Sequence, residues 1–558
     1  MELHGDVQGP GGAQPHQRAN LCQAGEGRFE AVNLDEFLAA AESVTIRVVA
    51  RSRGGAMTSR IPACTPARLA ARAAERPGEV ALEVVGAGRL TFREWDERSS
   101  AAARGLVAGG IRPGDRVVVW GDNADLLDYA VSYLAVHKAG AVAVPVQRRS
   151  GQNHLRQVCE KSGAVVILGV VPDADLPVRG VPVRTLEVGQ STQPLPLRAC
   201  PRDDAEILFT AGTTGVPKGV VASHECVLCT HEPVATAREP HVVLHALQPA
   251  SLAGQGLLLQ PLDGVPHRVI ALPAYDDRGF GAAIEYYRPT HVVLVPAQAS
   301  SLVDSVVDTP SVRVVRTISA PIAPATLAGL AALFPGAATI NMYTSTEAFP
   351  ARVKITFDPV RPASVGRSVH VRVVDDAGTP LAPNEPGNIE LRAPHAPRRR
   401  YLDADASVFR PDGWVRTGDL GFLDARGFLF LLDRHQDLVI SGGLNISTIE
   451  VETVLQEFPG IREAAAFALP DPALGEYVAA AIVTGPVFDQ AGLSEFLLDR
   501  LGPARLPKRL LYAKALPRNE LGKVLKRQLR DEAARRLGVR GFVLKEKPWP
   551  PNGLKRSA

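Results

Sequence analysis

The chain has 558 residues, and its 62 Lys and Arg against 59 Asp and Glu give a formal net charge of +3 at pH 7. Because charges of both signs are interspersed without a basic excess, the composition argues against a protein that tracks a nucleic-acid backbone. With 46% hydrophobic residues the chain is expected to be globular, and its length predicts several domain-sized units.

The cysteine content and the distribution of apolar residues indicate in which cellular compartment the protein is expected. Six cysteines in a chain this long argue against a disulfide scaffold, which is typical of small secreted proteins. No apolar run approaches the ~18 residues of a membrane span, and the first residues lack the basic and apolar regions of a secretory signal. We therefore expect a soluble, cytoplasmic protein with no membrane span and no nucleic-acid partner.

The first 56 residues differ in character from the rest of the chain. They are rich in Gly and polar residues, contain one candidate helix around 34–41, and precede the second methionine, Met57. Ordered structure is predicted to begin near residue 60, because Thr65 as N-cap, Pro66 in the first turn and apolar residues at helical spacing predict a helix over 65–75. Residues 1–56 are expected to be a dispensable extension.

From Val80 onward, short Val- and Ile-rich runs alternate with helical stretches, which predicts an α/β fold with largely parallel sheets. Three later runs separated by Gly, Pro and Asp predict a smaller antiparallel β unit. We expect a large N-terminal domain over 57–433, a small mobile α/β lid over 434–536 and an irregular tail over 537–558. The runs predicted as strands are 116–120, 141–145, 164–171 and 291–296, then 371–374, 388–392 and 427–432, with a helix at 125–139.

The segment Ile207-Leu-Phe-Thr-Ala-Gly-Thr-Thr-Gly-Val-Pro-Lys-Gly219 carries the clearest chemical signal. An apolar strand leads into small and hydroxylated residues, where glycines let backbone N–H groups approach a phosphate and one lysine offsets its charge. The alternative interpretation of this segment is a surface turn, which its order of residues disfavours. The segment is not a Walker A loop, because Pro217 and Gly219 flank the lysine. The candidate triphosphate-binding residues are Thr210, Gly212, Thr213, Thr214, Gly215 and Lys218.

This loop and four later segments resemble, in order, the motifs of the adenylate-forming superfamily, in its acyl-CoA synthetase branch. The resemblance covers about 60–530 and implies an ATP-dependent ligase that converts a small carboxylic acid into an acyl-adenylate, releases pyrophosphate and transfers the acyl group to CoA. The four segments are Asn-Met-Tyr-Thr-Ser-Thr-Glu at 341–347, Gly-Trp-Val-Arg-Thr-Gly-Asp-Leu at 413–420, Asp-Arg-His-Gln-Asp-Leu-Val-Ile-Ser-Gly-Gly at 433–443 and Pro-Arg-Asn-Glu-Leu-Gly-Lys at 517–523.

By this resemblance, Tyr343 stacks on the adenine, and Asn341 frames the base edge together with the turn formed by Ser319, Ala320 and Pro321. Asp419 accepts hydrogen bonds from both ribose hydroxyls, as an ionised carboxylate can. Arg434 is expected to reach the same sugar from the other domain.

The resemblance also implies roles around the phosphates. Glu347 is the expected Mg²⁺ ligand, and Thr346 holds phosphate oxygens together with the loop hydroxyls. Lys523 is the expected catalytic residue, because an ammonium between the substrate carboxylate and the α-phosphate offsets the repulsion of two anions. The alternative interpretation is that Lys523 is a solvated lysine on the face of a helix, as we expect for Lys526. After the lid turns about a hinge near Gln436, Gly442 and Gly443 would line the path of the CoA thiol.

Several positions depart from the family pattern near the acid and the hinge. Ala211 replaces a serine of the phosphate loop, and Thr344 replaces a glycine where the acyl group passes, which predicts a reshaped or shorter acid pocket. Ala250 and Ser251 stand where an aromatic–His pair is usual. Gln436 replaces the usual Asp or Lys of the hinge.

Other functions were weighed against this one. An adenylating enzyme that transfers the acyl group to an amine or to a carrier-protein thiol is the main alternative, and a non-catalytic adenylate-binding relative is a second. Cys226 and Cys229, with His224 and His231, could form half a zinc site, although buried thiols on a helix are the preferred interpretation. The run 398–400 of three arginines could bind a CoA phosphate, although such runs are usually solvated.

Overall fold

The computed structural model describes residues 64–171, 176–210, 217–229, 241–263, 267–305, 307–394, 396–403, 407–471, 474–519 and 522–536, and the backbone of 545–548. The predicted extension at 1–56 and its candidate helix lie outside these ranges, as do residues 211–216 of the phosphate loop and most of the predicted tail. Within the described ranges, no helix is long and apolar enough to cross a membrane.

The α-helices of the described residues are numbered in chain order. They are α1 (Thr65–Glu75), α2 (Phe92–Ala108), α3 (Leu126–Lys138), α4 (Gly151–Ser162), α5 (Val183–Glu187), α6 (His224–Leu228), α7 (Leu252–Leu259), α8 (Asp277–Tyr287), α9 (Pro296–Leu302), α10 (Pro324–Leu333), α11 (Thr448–Glu457), α12 (Leu493–Arg505) and α13 (Lys526–Arg536). Short 3-10 turns lie at Asn123–Asp125, Arg148–Ser150 and Gln260–Leu262.

The strands are numbered in the same way. They are β1 (Val80–Val84), β2 (Gly88–Thr91), β3 (Arg116–Gly121), β4 (Val142–Gln147), β5 (Val166–Leu168), β6 (Gly180–Val181), β7 (Asp204–Thr210), β8 (Lys218–Ser223), β9 (Val242–His245), β10 (Arg268–Ala271), β11 (His291–Leu294), β12 (Val314–Thr317), β13 (Ala338–Tyr343), β14 (Val353–Thr356), β15 (Ser364–Gly366), β16 (Val371–Val374), β17 (Gly387–Leu391), β18 (Arg400–Tyr401), β19 (Val415–Leu423), β20 (Leu429–Arg434), β21 (Val439–Ser441), β22 (Leu444–Ile446), β23 (Ile461–Asp471), β24 (Gly475–Thr484), β25 (Arg509–Tyr512) and β26 (Lys545–Pro548).

The described strands form four sheets. Sheet 1 has the order β14-β13-β12-β11-β9-β10-β1-β2, parallel except for its two antiparallel edge strands. Sheet 2 has the order β18-β8-β7-β4-β3-β5-β6, with a parallel centre, and sheet 3 is the antiparallel β15-β20-β19-β17-β16. Sheet 4 contains β22-β21-β24-β25-β26, with β23 on β24.

The α/β fold class is confirmed, and the predicted runs form strands whose ends differ from the prediction by a few residues. The predicted helix over 65–75 is α1, but its N-cap is Cys64 rather than Thr65. The Thr65 hydroxyl instead lies 2.6 Å from His137 Nδ1, inside the core. Within the predicted irregular tail, β26 pairs with β25.

One hydrophobic core joins the first two sheets. Helix α3 is buried along nearly its whole length, and Leu134 of this helix shares a cluster with Val117 of β3 and Val269 of β10. Because the parallel strands of sheet 1 all end on one side, their carboxyl ends form a common edge, the usual position of a ligand site in such a fold.

Candidate functional site

Tyr343, the last residue of β13, joins sheet 1 to sheet 3. Its hydroxyl donates to Asp419 Oδ2 over 2.7 Å and lies 3.0 Å from Thr417 Oγ1, and both partners lie on β19. Burial, followed by the charge of Asp419, raises the pKa of Tyr343 well above its usual value. The side chain therefore remains a neutral hydrogen-bond donor that orients the Asp419 carboxylate.

Arg434 contacts the same carboxylate. It is the last residue of β20, directly opposite Asp419 in the register of sheet 3, and its Nε lies 3.3 Å from Asp419 Oδ1. The expectation that Arg434 comes from the other domain is wrong, because the residue belongs to the same sheet as Asp419. The turn with Gln436 follows, where Asp437 N donates to Arg434 O over 2.9 Å.

Lys523 interacts electrostatically with Arg434 and Asp419. Burial first, and then the positive charge of Arg434, lower the pKa of Lys523 to about 8, while Asp419 and Asp437 act in the opposite direction. Its backbone is held in a tight turn, because its N–H donates to Asn519 Oδ1 over 2.8 Å and its carbonyl accepts from Asn519 N over 2.8 Å. The last motif of the chain thus reaches the Asp419 site.

Lys526, only three residues later, is in a different environment. Its Nζ lies 2.7 Å from Glu452 Oε1, and it also donates to Thr448 Oγ1. This ion pair joins the start of α13 to α11. Burial lowers the pKa of Lys526, but the carboxylates of Glu452 and Asp433 outweigh it, so the pKa is raised. The expectation of a solvated lysine is wrong for Lys526. Lys523, by contrast, has no ion pair among the described residues.

The turn after β12 carries Ser319, Ala320 and Pro321. Ser319 adopts φ = 80°, a left-handed conformation that is uncommon for residues other than Gly and that concentrates at functional sites. Asn341, buried on β13, accepts from Thr317 Oγ1 over 3.2 Å. This bond fixes the side-chain amide beside the Ser319 turn.

A cavity of about 480 Å³ opens next to this turn. One wall comes from the carboxyl-end edge of sheet 1 and includes Gln248, Val295 and Ser319, and the other comes from the loop before α13 and includes Asn519 and Gly522. A Cβ added to Gly522 would lie 3.3 Å from Val295 Cγ2. The backbone next to Lys523 thus lies against sheet 1, and the cavity is large enough for a small organic acid.

Glu347 and Lys218 meet at Tyr401. The Tyr401 hydroxyl donates to Glu347 Oε1 over 3.2 Å, and Lys218 Nζ lies 5.0 Å from the centre of the Tyr401 ring. Tyr401 pairs with Val220 on β8, two residues from Lys218, which places both side chains on one face. Thr346 precedes Glu347 in the same half-buried segment. Neither Tyr401 nor Thr417 was predicted from the sequence, because their role depends on strand pairing.

The phosphate loop is described only at its two ends. Thr210 ends β7 and pairs with Lys218, the first residue of β8. Gly212, Thr213, Thr214 and Gly215, with the Ala211 departure, lie outside the described residues.

Gly442 and Gly443 form the exposed turn between β21 and β22, with φ of 57° and 83°. Gly442 N donates to Leu474 O over 2.8 Å. Among the described residues, this bond places the turn beside β24 of sheet 4 rather than beside the group around Asp419.

Two of the departures from the family pattern, Thr344 and Ser251, have local explanations. The Thr344 hydroxyl donates to Ala351 O over 2.6 Å, so it joins the segment after β13 to the start of β14. Ser251 is the N-cap of α7, accepting from Gly254 N over 2.9 Å.

The arginine run does not behave as a solvated patch. Arg399 is 4% exposed, and its Nη1 lies 3.4 Å from Oε1 of Glu206, itself 1% exposed. Arg400 is half-exposed and pairs with Asp204 over 2.6 Å. The expectation that this run is solvated is therefore wrong for Arg399, which is part of the core.

The cysteine pair lies beside this core. Cys226 is fully buried, and the Cys229 thiol donates to Cys226 O over 2.8 Å. His224 Nδ1 lies 3.1 Å from Thr65 Oγ1, and His231 lies outside the described residues. Among the described residues, no group of three or more His, Cys, Asp or Glu side chains is placed to hold a metal ion.

Comparisons with known proteins agree with this arrangement. Residues 69–401 match the AMP-binding enzyme family, and residues 450–523 match the AMP-binding enzyme C-terminal domain. The chain is 31% identical over 469 residues to the feruloyl-CoA synthase of an Amycolatopsis species, covering 80% of this chain and 94% of that protein. It is 29% identical to the long-chain-fatty-acid–CoA ligase FadD13 of Mycobacterium tuberculosis, covering 80% and 93%. The o-succinylbenzoate coenzyme A synthetase MenE of Bacillus subtilis, solved with ATP and magnesium ion, superposes with a TM-score of 0.73 at 26% identity, covering 83% and 99%.

Proposed function

Because this chain belongs to the family of AMP-binding enzymes and is an AMP-forming acid:CoA ligase, we propose that sheets 1 and 3 hold the adenosine, that the β7–β8 loop holds the phosphates and that Lys523 assists adenylation. In the first step the substrate carboxylate attacks the α-phosphorus of ATP and pyrophosphate leaves. In the second step the CoA thiol attacks the acyl-adenylate and AMP leaves.

The adenosine is held by Tyr343, Asn341 and the Ser319-Ala320-Pro321 turn at the base, and by Asp419 and Arg434 at the ribose. An oriented carboxylate that can only accept hydrogen bonds suits two ribose hydroxyls. Arg434 contacts one of its oxygens and the Tyr343 hydroxyl donates to the other. This preorganisation supports the assignment, because the site does not have to order these groups when ATP binds.

The observation that carries the proposal is the position of the loop before Lys523, where Gly522 lies against Val295 at the carboxyl-end edge of sheet 1. The charges of Arg434 and Asp419 act on the Lys523 ammonium from this position. The ammonium comes from the far end of the sequence and reaches the place where ATP would lie. In this partly dehydrated position, a positive charge stabilises the negative charge that develops at the α-phosphate.

Mg²⁺ fits the residues present. It usually takes one or two carboxylates and completes its shell with phosphate oxygens and water. Glu347 supplies one carboxylate, positioned by Tyr401 and near the Lys218 end of the phosphate loop. When bound, the ion neutralises phosphate charge. Lys218, Thr346 and the hydroxyls of Thr210, Thr213 and Thr214 would hold the remaining phosphate oxygens.

For the second step we propose that the region after Gln436 turns as a lid. The electrostatic interactions of Lys523 with Arg434 and Asp419 fit the adenylation step. In this arrangement the Gly442 N–H donates to Leu474 O, next to β24 of sheet 4. Rotation would withdraw the ammonium and bring the glycines toward the acyl-adenylate, so one site would serve two reactions in turn.

The function is tested by incubating the enzyme with ATP, Mg²⁺ and a panel of carboxylic acids, with CoA, with amines or without an acceptor. We expect acid-dependent pyrophosphate release and a CoA thioester identified by mass. Pyrophosphate release with an amide product and no thioester would favour the amide synthetase instead. Lys523→Ala should lose acid-dependent pyrophosphate release while still binding ATP, and near-normal adenylation by this variant would contradict its assignment.

A further inference from the structure

Three cationic side chains share one face at the β12–β13–β14 edge of sheet 1. Arg316 on β12 is opposite Ile340 on β13, and Met342 on β13 is opposite Lys354 on β14. Residues two apart on a strand point to the same side. Arg316 and Lys354 therefore lie on the same face, together with Arg352, which stands two residues before Lys354 just outside β14.

At the β12–β13–β14 edge this face is partly open to solvent, whereas the opposite face is packed. Ile340 and Met342 are only partly buried, while the alternate residues Thr339, Asn341 and Tyr343 are buried. Arg316 and Arg352 are half-buried and Lys354 is exposed, so solvent reaches this face at all three cations.

The three head groups are not neutralised within the described part of the chain. No ion pair or hydrogen bond of these side chains is found there, and Asp263 is the one carboxylate among the described residues that acts on Arg316. Asp263 in turn lies 3.6 Å from His267 Nε2. Burial first, and then the other cations, lower the pKa of Lys354 and of Arg316, and burial lowers the pKa of Arg352.

A fourth polar side chain, His245, lies on the same face as Arg316. His245 on β9 and Arg316 are both opposite Val293 on β11, on either side of it. His245 is 2% exposed, and its Nδ1 accepts from Leu247 N over 3.1 Å, so Nε2 carries the proton. That Nε2–H has no partner among the described residues, which is costly for a buried donor unless a ligand supplies an acceptor.

The position of this face relative to the nucleotide indicates the ligand. Tyr343, on the packed face, points to Asp419, so the adenosine occupies that side. The acid must meet the α-phosphate near 344–347, and the rest of it can extend along the open face past Met342. Arg316 is opposite Ile340, so with ~3.3 Å per strand residue it lies ~13 Å along β13 from residue 344.

We propose that the acid substrate carries a second anionic group, a carboxylate in the simplest case, that is bound by Arg316 and Arg352 with Lys354 at the mouth. Guanidinium groups bind carboxylates through paired N–H donors. This inference rests on the proposed function, since it names the class of acid that the same site would adenylate.

The test compares matched acids in the adenylation step, without CoA, so that CoA phosphates cannot contribute. The pairs are hexanoate with adipate, octanoate with suberate, and benzoate with terephthalate, and monomethyl adipate serves as a neutral analogue of the diacid. We expect kcat/KM for pyrophosphate release to be at least about tenfold higher for the better diacids than for their monoacids and for the ester. Preference for the monoacids in all pairs would overturn the inference and leave the ligase function intact.

Two substitutions test which residues cause the preference for diacids over monoacids. Arg316→Met and Arg352→Met should each reduce the diacid-to-monoacid ratio of kcat/KM about tenfold or more, whereas Arg313→Met, at an exposed position before β12, should not change it. Because the readout is a ratio within one enzyme, partial unfolding does not affect it. An unchanged ratio in both variants would overturn the inference. Absence of pyrophosphate release with every acid, in enzyme that binds ATP, would instead contradict the proposed function and the inference with it.

Discussion

Asp419, in the middle of β19, and Arg434, at the end of β20, are register partners, and Arg434 Nε lies 3.3 Å from Asp419 Oδ1. Tyr343 donates to the other carboxylate oxygen over 2.7 Å. The carboxylate is therefore held in one orientation by groups from two sheets. This geometry makes Asp419 the central contact for the ribose.

Asp419→Asn should weaken ATP binding about tenfold or more. The amide keeps the size of the side chain but loses the charge and places an N–H donor where Tyr343 or Arg434 also donates, and hydrogen bonds to a charged group contribute about 1.5–3 kcal/mol. The dissociation constant can be measured by titration calorimetry. Asp304→Asn, at a largely exposed position, is the matched control and should bind ATP normally. Equal affinities of the two variants would contradict the assignment.

Tyr343→Phe should raise KM for ATP more than it lowers kcat. The ring that faces the base remains, while Asp419 loses a donor that holds it in place, and one hydrogen bond of this kind corresponds to about a five- to tenfold change. Initial rates of pyrophosphate release against ATP concentration measure the effect. Tyr286→Phe removes a hydroxyl from a residue that is 80% exposed and should leave KM unchanged.

Adenylation should fall as the pH rises through about 8, because burial lowers the pKa of Lys523 to about 8. Below this pH the ammonium is present, and above it the free enzyme loses the charge, so log kcat/KM should decline with a slope near −1. Bound ATP is anionic and favours the ammonium, so the decline in kcat should occur at higher pH.

Lys523→Arg provides the control for this profile, since its guanidinium remains charged to about pH 12 or above. Whatever its activity, the variant should show no decline near pH 8. A wild-type profile that stays flat to pH 10 would show that Lys523 is not the titrating group.

Arg399→Met should lower the free energy of unfolding by about 3–5 kcal/mol, because the buried Glu206 carboxylate loses its cation and keeps only the bond from the Tyr133 hydroxyl. Urea unfolding followed by circular dichroism gives the value. Arg400→Met is the control, since its pair with Asp204 is exposed and should contribute about 0–1 kcal/mol. If Arg399 bound a CoA phosphate instead, KM for CoA would rise while stability stayed near that of the wild type.

The sequence by itself determined the fold class and the reaction. Alternating apolar runs and helical stretches specify local structure, and the Gly- and Thr-rich loop between Ile207 and Gly219 has few uses other than binding phosphate. The order of five motifs then identified the family. These features are readable because each depends on neighbours within about a dozen residues.

The tertiary structure alone decided which charged groups act together. Arg434 belongs to the sheet of Asp419, Arg399 is a core residue paired with Glu206, and Lys523 and Lys526 have opposite pKa shifts although they are three residues apart. Arg316 and Lys354 share a face only because β12, β13 and β14 pair in one register. The energy of a charge depends on how much water it loses and on which head groups come near it, and both are set by strand pairing over long sequence distances.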